Sequence, residues 1–256
     1  MRRFHGTARA AGLALAMLVT GLAGAGAQTA AGLSAEELLA RLDRNEAGTW
    51  SHFVGTITVE DRFGRKVTAF ESFSQGTDRS LVAFTSGEEK GQKILRLRDT
   101  LYVSYPEADK PVKIQGAALK DSVAGSDFSY EDMAGDPSYS ARYTAKIVGD
   151  EAVAGEPCVV LELRARGPGL AYPLLKVWVA LGDFSGRKME KYSQNERLLK
   201  TQTVLEVLHS AGRTVPSKAV MTDTMRGKSQ TLFDITKAEL DVRIPASKFS
   251  LEELTW

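Results

Sequence analysis

Most of the chain after residue 50 alternates between apolar and polar residues with a period of two, which is typical of β-strands. In "SARYTAKIVG", for example, Ala141, Tyr143, Ala145 and Ile147 fall on one face, and the residues between them fall on the other. Runs rich in glycine, aspartate and glutamate separate the segments, and Gly64 in "DRFGR" marks the turn of the first hairpin. The pattern predicts about eleven strands in antiparallel succession.

Two segments carry helix signals instead. In "SAEELLARLDRNEAG", Ser34 and Glu37 form a capping box, and three leucines within residues 38–42 give one apolar face. We expect this amphipathic helix to end near the glycine of that segment and to lie on an apolar surface. A second capping box, Ser250 with Glu253, predicts a short helix near the C-terminal end.

Several strands are apolar on both faces, among them "LVAF", "KILRL" and "VLEVL". A sheet of this kind must be covered on both sides, either by helices and bound ligand or by a thick ordinary core. No linker and no internal repeat argues for two domains. We therefore predict a mainly β fold, one large curved sheet or barrel with few helices.

The first 27 residues have the pattern of a signal peptide. Arg2, Arg3 and Arg9 form a basic start, an apolar run of about 15 residues follows, and "AGA" supplies the small residues before a cleavage site. We predict cleavage before Gln28 and export, with an uncleaved anchor helix as the alternative. No later segment has the 18 or so apolar residues that a membrane helix needs, so we expect residues 28–256 to form one soluble domain.

Charge and cysteine content narrow the classes of function. Without residues 1–27 the chain has 30 basic residues against 32 acidic ones, whereas a nucleic-acid partner would favour a strongly basic face. The single cysteine, Cys158, excludes an internal disulfide. It lies in "CVVLELRA", which favours a buried apolar role over a reactive thiol.

The signals of catalysis are weak. Only His52 and His209 follow the predicted cleavage site, neither has the spacing of a metal ligand, and no G-x-S-x-G, P-loop or G-x-G-x-x-G motif occurs. His209 stands beside Ser210, but neighbours in a strand point to opposite faces. We therefore predict no enzyme, no metal and no cofactor, and we keep a Ser/His hydrolase as a minor alternative.

Specific motifs resemble those of the LolA-like outer-membrane lipoprotein-sorting proteins. A lead-in "KGQKILRLRDTLYVSYP" ends in Tyr105 and Pro106, and the block "GSDFSYEDM" (residues 125–133) follows. A strand with a central Trp178 then leads to Lys188 and Tyr192. The late "VPSKAVMTDTMRGKSQTLFDITKAELDVRIPASKFSLEEL" also resembles the C-terminal half of that family.

The resemblance implies an incomplete antiparallel β-barrel with a few helices covering its open side. "GSDFSYEDM" would then be a lid or rim element in which Gly125 permits a sharp turn and Ser126 or Ser129 caps a short helix. Phe128 and Tyr130 would face the cavity or pin the element to the sheet. A structural turn without ligand contact is an equal alternative.

The resemblance also implies a function. We expect a periplasmic carrier that binds the acyl chains of lipoproteins or lipids and ferries them toward the outer membrane. Its partners would be an inner-membrane transporter or release complex and an outer-membrane acceptor. The alternative is a periplasmic lipid-binding adaptor or sensor that works with an RND-type transporter. The candidate residues of the cavity or lid, chosen by aromatic character and strand position, are Trp50, Phe53, Phe70, Phe84, Tyr102, Phe128, Tyr130 and Trp178.

Overall fold

The computed structural model describes residues 32–46, 50–134 and 138–254. The predicted signal peptide and its cleavage site lie outside the described residues. The α-helices are α1 (Ala35–Glu46), α2 (Tyr130–Met133) and α3 (Tyr139–Arg142), and short 3₁₀ helices span Gly116–Lys120, Ala246–Phe249 and Glu252–Leu254. The strands are β1 (Trp50–Asp61), β2 (Gly64–Gln75), β3 (Arg79–Phe84), β4 (Lys93–Leu97), β5 (Thr100–Ser104), β6 (Val112–Ile114), β7 (Tyr143–Val153), β8 (Glu156–Ala165), β9 (Leu174–Ala180), β10 (Gly186–Tyr192), β11 (Leu198–Ser210), β12 (Arg213–Asp223) and β13 (Gln230–Leu240).

All thirteen described strands belong to one antiparallel sheet. Their order is β6-β5-β4-β3-β2-β1-β13-β12-β11-β10-β9-β8-β7, and the pairing of β1 with β13 joins the first strand to the last. The edge strands β6 and β7 do not pair with each other, so the sheet does not close. The predicted incomplete antiparallel barrel is therefore confirmed.

The described residues form thirteen strands rather than about eleven. One reason is that "TLYVSYPEADKPVKIQG" contains two strands, β5 and β6, separated by a turn around Pro106. Proline has no N–H to donate to a ladder and so favours the break. In the next segment, the predicted strand from Ser140 begins only at Tyr143, because Tyr139–Arg142 forms α3.

The α1 helix covers one end of the concave face. The predicted capping box is present, since the Ser34 backbone N–H donates to Glu37 Oε2 (2.8 Å) and the Glu37 N–H donates to Ser34 Oγ (3.2 Å). The three leucines of α1 are buried and pack on the inward residues of β8 and β9, including Leu161 and Val177. The predicted apolar surface under this helix is thus the sheet itself.

The C-terminal segment covers part of the outer face. Ile244, Phe249 and Leu254 pack on Leu81 and Leu95, which are buried outward residues of β3 and β4. The predicted C-terminal helix is present as 3₁₀ turns, and the Glu253 N–H donates to Ser250 Oγ (3.4 Å). This segment explains why those two strands are apolar on both faces. Within the described residues, no helix has the length and apolar character needed to cross a membrane.

Candidate functional site

A cavity of about 330 Å³ lies on the concave face of the sheet. On one side of it stands α1, and on the other stands the segment 116–134, which covers β1 to β5. Its apolar lining includes Phe53, Phe70, Val82, Phe128, Met133, Tyr139, Met189, Val215, Ala219, Phe233 and Ile235. The volume is at the lower end of the range of about 300–1,000 Å³ that ligand pockets occupy.

Strand register arranges the lining in rows across the sheet. Phe70 on β2 pairs with Gly55 on β1 and with Phe84 on β3. The Phe70 ring stacks on Phe233 with centroids 5.1 Å apart, and the Phe128 ring lies 6.0 Å from Phe233. Offset stacked or tilted rings at such distances attract each other beyond their burial. These contacts join the aromatic lining of β2, of β13 and of the segment 116–134.

Gly55 is the position that allows this close aromatic packing. A Cβ atom at Gly55 would lie 2.4 Å from the Asp234 carbonyl oxygen and 2.9 Å from the Phe70 ring. A register shift between Val54 and Gly55 bends β1 at the same place, as bulges do. Glycine is required here because any side chain would clash with these neighbours, and not because of the backbone φ angle.

The block "GSDFSYEDM" is held to the concave face by Asp132. Its carboxylate lies 2.5 Å from Lys191 Nζ and 3.1 Å from Lys200 Nζ, and all three side chains are buried. Burial alone would raise the pKa of Asp132, but the two lysine charges and their hydrogen bonds outweigh it and hold the pKa well below its usual value. Asp132 is therefore ionised and paired.

The other two carboxylates of the block also anchor it. Glu131 lies 3.3 Å from Arg96 on β4 and 3.4 Å from Arg142 on α3. Asp127 accepts hydrogen bonds from Thr231 Oγ1 (2.8 Å) and Ser229 Oγ (3.0 Å). The three acids thus join the block to β4, to α3 and to the middle of the sheet.

The predicted cap is Ser129. Its hydroxyl accepts from the Asp132 N–H (3.2 Å), and Asp132 Oδ2 accepts from the Ser129 N–H (2.8 Å), which is a complete capping box for α2. Gly125 has a φ of 65°, in the left-handed region that favours glycine. The Tyr130 hydroxyl lies 2.8 Å from the Tyr105 hydroxyl, and burial, followed by this contact, raises the pKa of Tyr130.

The structure places the eight candidate residues in three locations. Phe53, Phe70 and Phe128 line the cavity. Phe84 is buried in the adjoining core under the segment 116–134, and Tyr130, which belongs to that segment, packs in the same core. The other three, Trp50, Tyr102 and Trp178, lie on the opposite face of the sheet. Contact of any of the eight with a ligand stays a prediction.

The outward residues have structural partners of their own. Trp50 packs near Phe249 of the C-terminal segment, with ring centroids 6.5 Å apart. Trp178 donates from Nε1 to Glu151 Oε2 (2.8 Å), and Lys188 Nζ lies 4.1 Å from the centre of its ring. Aromatic character selected these residues, whereas the face on which each lies depends on register.

Several cavity residues were not among the candidates. Phe233 and Ile235 on β13 and Met189 on β10 all line the cavity. Phe233 stands in "TLFDI", where alternation puts it on the same face as Ile235, so periodicity could have selected this pair. Met189 lies in "RKMEKY", which has no other aliphatic residue and gives no such signal.

The two histidines have polar neighbours. His52 lies between Glu239 Oε2 (2.6 Å) and Glu71 Oε1 (2.7 Å) and stacks on the Phe73 ring. His209 Nδ1 lies 2.8 Å from Thr214 Oγ1. Among the described residues, no group of three or more histidine, cysteine, aspartate or glutamate side chains could hold a metal ion.

Comparison with protein families gives one match. Residues 76–256 match a family model described as "-like: Uncharacterized protein", and the match covers more than two thirds of the sequence. The chain belongs to this family. No curated protein matches the sequence.

Solved structures share the fold of this family member over most of its length. A DUF1329 family protein from Desulfovibrio piger is 21% identical, with a TM-score of 0.79 over 86% of this chain and 98% of that one. A putative outer membrane lipoprotein-sorting protein domain from Vibrio parahaemolyticus is 19% identical, with a TM-score of 0.78 over 86% and 97%. A LolA superfamily protein from Nitrosomonas europaea is 22% identical, with a TM-score of 0.73 over 85% and 98%. The predicted resemblance to LolA-like proteins is confirmed, and it is confirmed at the level of the fold.

Proposed function

We propose that this protein is a periplasmic carrier that binds acyl chains of lipoproteins or lipids in its concave cavity and ferries them toward the outer membrane. The observation that carries the proposal is the cavity itself, whose walls are mainly aromatic and aliphatic side chains between two covers of the sheet. The pattern of residues 1–27 supports export, and the shared fold supports lipid or lipoprotein handling.

Physical chemistry explains why such a carrier is needed. Each CH₂ group of an acyl chain costs about 0.8 kcal/mol when it is exposed to water, so one long chain costs on the order of 10 kcal/mol. A dry concave surface offsets that cost without hydrogen bonds to the chain. Since the cavity of about 330 Å³ is at the lower end of the range for ligand pockets, binding of long acyl chains requires movement of α1 or of the segment 116–134.

The carrier would receive its cargo from an inner-membrane transporter or release complex and deliver it to an outer-membrane acceptor. Its affinity must stay moderate, because a carrier that held acyl chains as strongly as a bilayer does would not release them. Contacts that are mainly apolar and few in number meet this requirement.

Filling the cavity tests the proposal. Ala219 lies on β12 at the cavity floor and pairs with Phe233. We expect Ala219→Phe to lower the affinity for a fluorescent acyl probe at least tenfold, while overpacking costs about 1–3 kcal/mol of unfolding free energy. The matched control is Ala152→Phe on the exposed part of β7, which should bind the probe as the natural chain does.

Two outcomes would contradict the proposal. One is that the natural chain binds no acyl probe, and the other is that a folded Ala219→Phe variant binds it unchanged. Mass spectrometry of molecules that co-purify from the periplasm identifies the cargo. A lipoprotein supports sorting, whereas a free lipid favours the adaptor that works with a membrane transporter.

A further inference from the structure

Four serines line one end of the cavity, beside Phe53 and Ala134. Ser51 on β1 pairs with Ser74 on β2, and Ser74 pairs with Ser80 on β3, so the three residues form a row across three strands. Ser72 lies one inward position further along β2, beside Phe53. All four residues line the cavity at the ends of these strands near the β2–β3 turn. We call these four residues the serine cluster.

Three hydroxyls of the serine cluster have no hydrogen-bond partner among the residues that the structure describes. Ser80 Oγ donates to the Ala134 carbonyl (2.7 Å). Ser51, Ser72 and Ser74 make no side-chain hydrogen bond to any described residue. Ser51 is the most informative of them, since it is only 5% exposed and still lines the cavity. Its hydroxyl is therefore open to the cavity and available to a ligand, and hydrocarbon in contact with it would leave it without a hydrogen bond, whereas alanine or valine would carry no such cost.

The charges around the cavity narrow the ligand further. The charged side chains that line it are Glu46, Asp132 and Lys191, and Asp132 and Lys191 pair with each other at 2.5 Å. Among the described lining residues, this leaves no cation that could compensate a carboxylate or phosphate of a ligand. Serine hydroxyls suit a neutral hydrogen-bonding group, because each can donate to a carbonyl oxygen and accept from a hydroxyl.

From this geometry we propose that the serine cluster is the headgroup subsite of the carrier and selects a neutral acyl ester or amide over an ionised fatty acid. The acyl chain lies along the Phe53, Phe70 and Phe233 part of the cavity, and the carbonyl group lies at Ser51, Ser72 and Ser74. This inference rests on the proposed function and names the substrate class of the same site.

Competition binding tests the subsite. The purified protein is loaded with the neutral apolar dye N-phenyl-1-naphthylamine, which is displaced by monododecanoylglycerol or by dodecanoate at pH 8. We expect the ester to displace the dye at a concentration at least tenfold lower than dodecanoate does. In the variant Ser51→Ala/Ser72→Ala/Ser74→Ala, the affinity for the ester should fall about tenfold and the affinity for the dye should not fall. The control variant Ser210→Ala/Ser247→Ala, at positions away from the cavity, should behave as the natural chain.

The outcomes separate the two proposals. If the dye binds but dodecanoate competes as well as the ester, or if the triple variant keeps the preference for the ester, the headgroup subsite is wrong while the apolar cavity stands. If neither dye nor amphiphile binds, the carrier proposal and the subsite both fail. Circular dichroism of each variant checks that it is folded, and Ser51→Ala alone, which removes one hydroxyl, should give a smaller loss in the same direction.

Discussion

Single side chains decide how firmly the segment 116–134 is attached to the sheet, and Asp132 is the most important of them. Its substitution by asparagine would leave Lys191 and Lys200 buried without their main counter-charge. We expect Asp132→Asn to lower the unfolding free energy by about 3–5 kcal/mol, as loss of one partner from a buried ion pair does. Urea unfolding at pH 7 measures the change. The control is Glu206→Gln, which breaks the exposed pair with Lys218 and should cost less than about 1 kcal/mol.

The stability difference between the natural chain and Asp132→Asn, measured at several pH values, shows whether the charge of Asp132 is the cause of the loss. Because the pKa of Asp132 is lowered in the folded state, its stabilisation is fully present above the ordinary carboxyl value of 3.8. It is lost as the pH falls below that value toward the lowered pKa. The difference between the natural chain and Asp132→Asn should stay constant from about pH 8 to pH 5 and narrow only in stronger acid. An Asp132→Asn variant as stable as Glu206→Gln would contradict the electrostatic anchor.

Among the roles of single side chains, the sequence predicted helix caps but did not predict ion pairs. The capping box of Ser34 with Glu37 was predicted because it joins residues three positions apart, whereas for the cap of α2 the sequence left Ser126 and Ser129 as alternatives. The contact of Asp132 with Lys191 joins residues 59 positions apart, and no local pattern reports it. The role of the acids in "GSDFSYEDM" depends on long-range contacts of the folded sheet and could not be predicted from the local sequence.

The helices α1 and α3, which both border the cavity, are joined by one side chain. Asp43 of α1 accepts from the backbone N–H of Tyr139 (2.8 Å) and of Ser140 (3.0 Å) and from Ser138 Oγ (2.6 Å). Asp43→Ala would leave these donors without their acceptor. We expect a loss of about 1–3 kcal/mol in unfolding free energy, which is the cost of one unsatisfied buried donor, because the Tyr139 N–H is buried whereas Ser140 is exposed.

Hydrogen exchange shows which amides lose protection when Asp43 is replaced. The amides of residues 139–142 should exchange faster in Asp43→Ala, whereas the adjacent exposed substitution Arg44→Ala should leave them unchanged. Asp43→Asn keeps one carbonyl acceptor and should restore part of the protection. Equal exchange in the natural chain and in Asp43→Ala would show that the two helices are held together in another way.

The sequence predicted whether a segment is a helix or a strand better than it predicted the face of the sheet on which each side chain lies. The amphipathic α1, the hairpin at Gly64 and most strands follow from local periodicity. The faces of the strands do not, because a shift by one residue moves every side chain to the other side. Irregularities in the ladders, such as the shift between Val54 and Gly55, make counting from a distant residue unsafe. Trp178 and Phe70 have equally aromatic side chains, yet only Phe70 lines the cavity.

At the scale of the whole molecule, binding of a ligand in the open sheet is coupled to thermal stability. A ligand that binds only the folded chain stabilises it by about 2.7 kcal/mol at a concentration 100 times its Kd. For a chain of this size about 1 kcal/mol corresponds to about 2–4 °C in Tm, so monododecanoylglycerol at that concentration should raise Tm by about 5–10 °C in circular dichroism. The same concentration should raise the Tm of Ala219→Phe by far less, because the added ring occupies the cavity. Equal Tm shifts in both proteins would mean that the ligand binds elsewhere, for instance on the outer face near Trp50 and Tyr102. The proposal that the concave cavity is the carrier site would then be wrong.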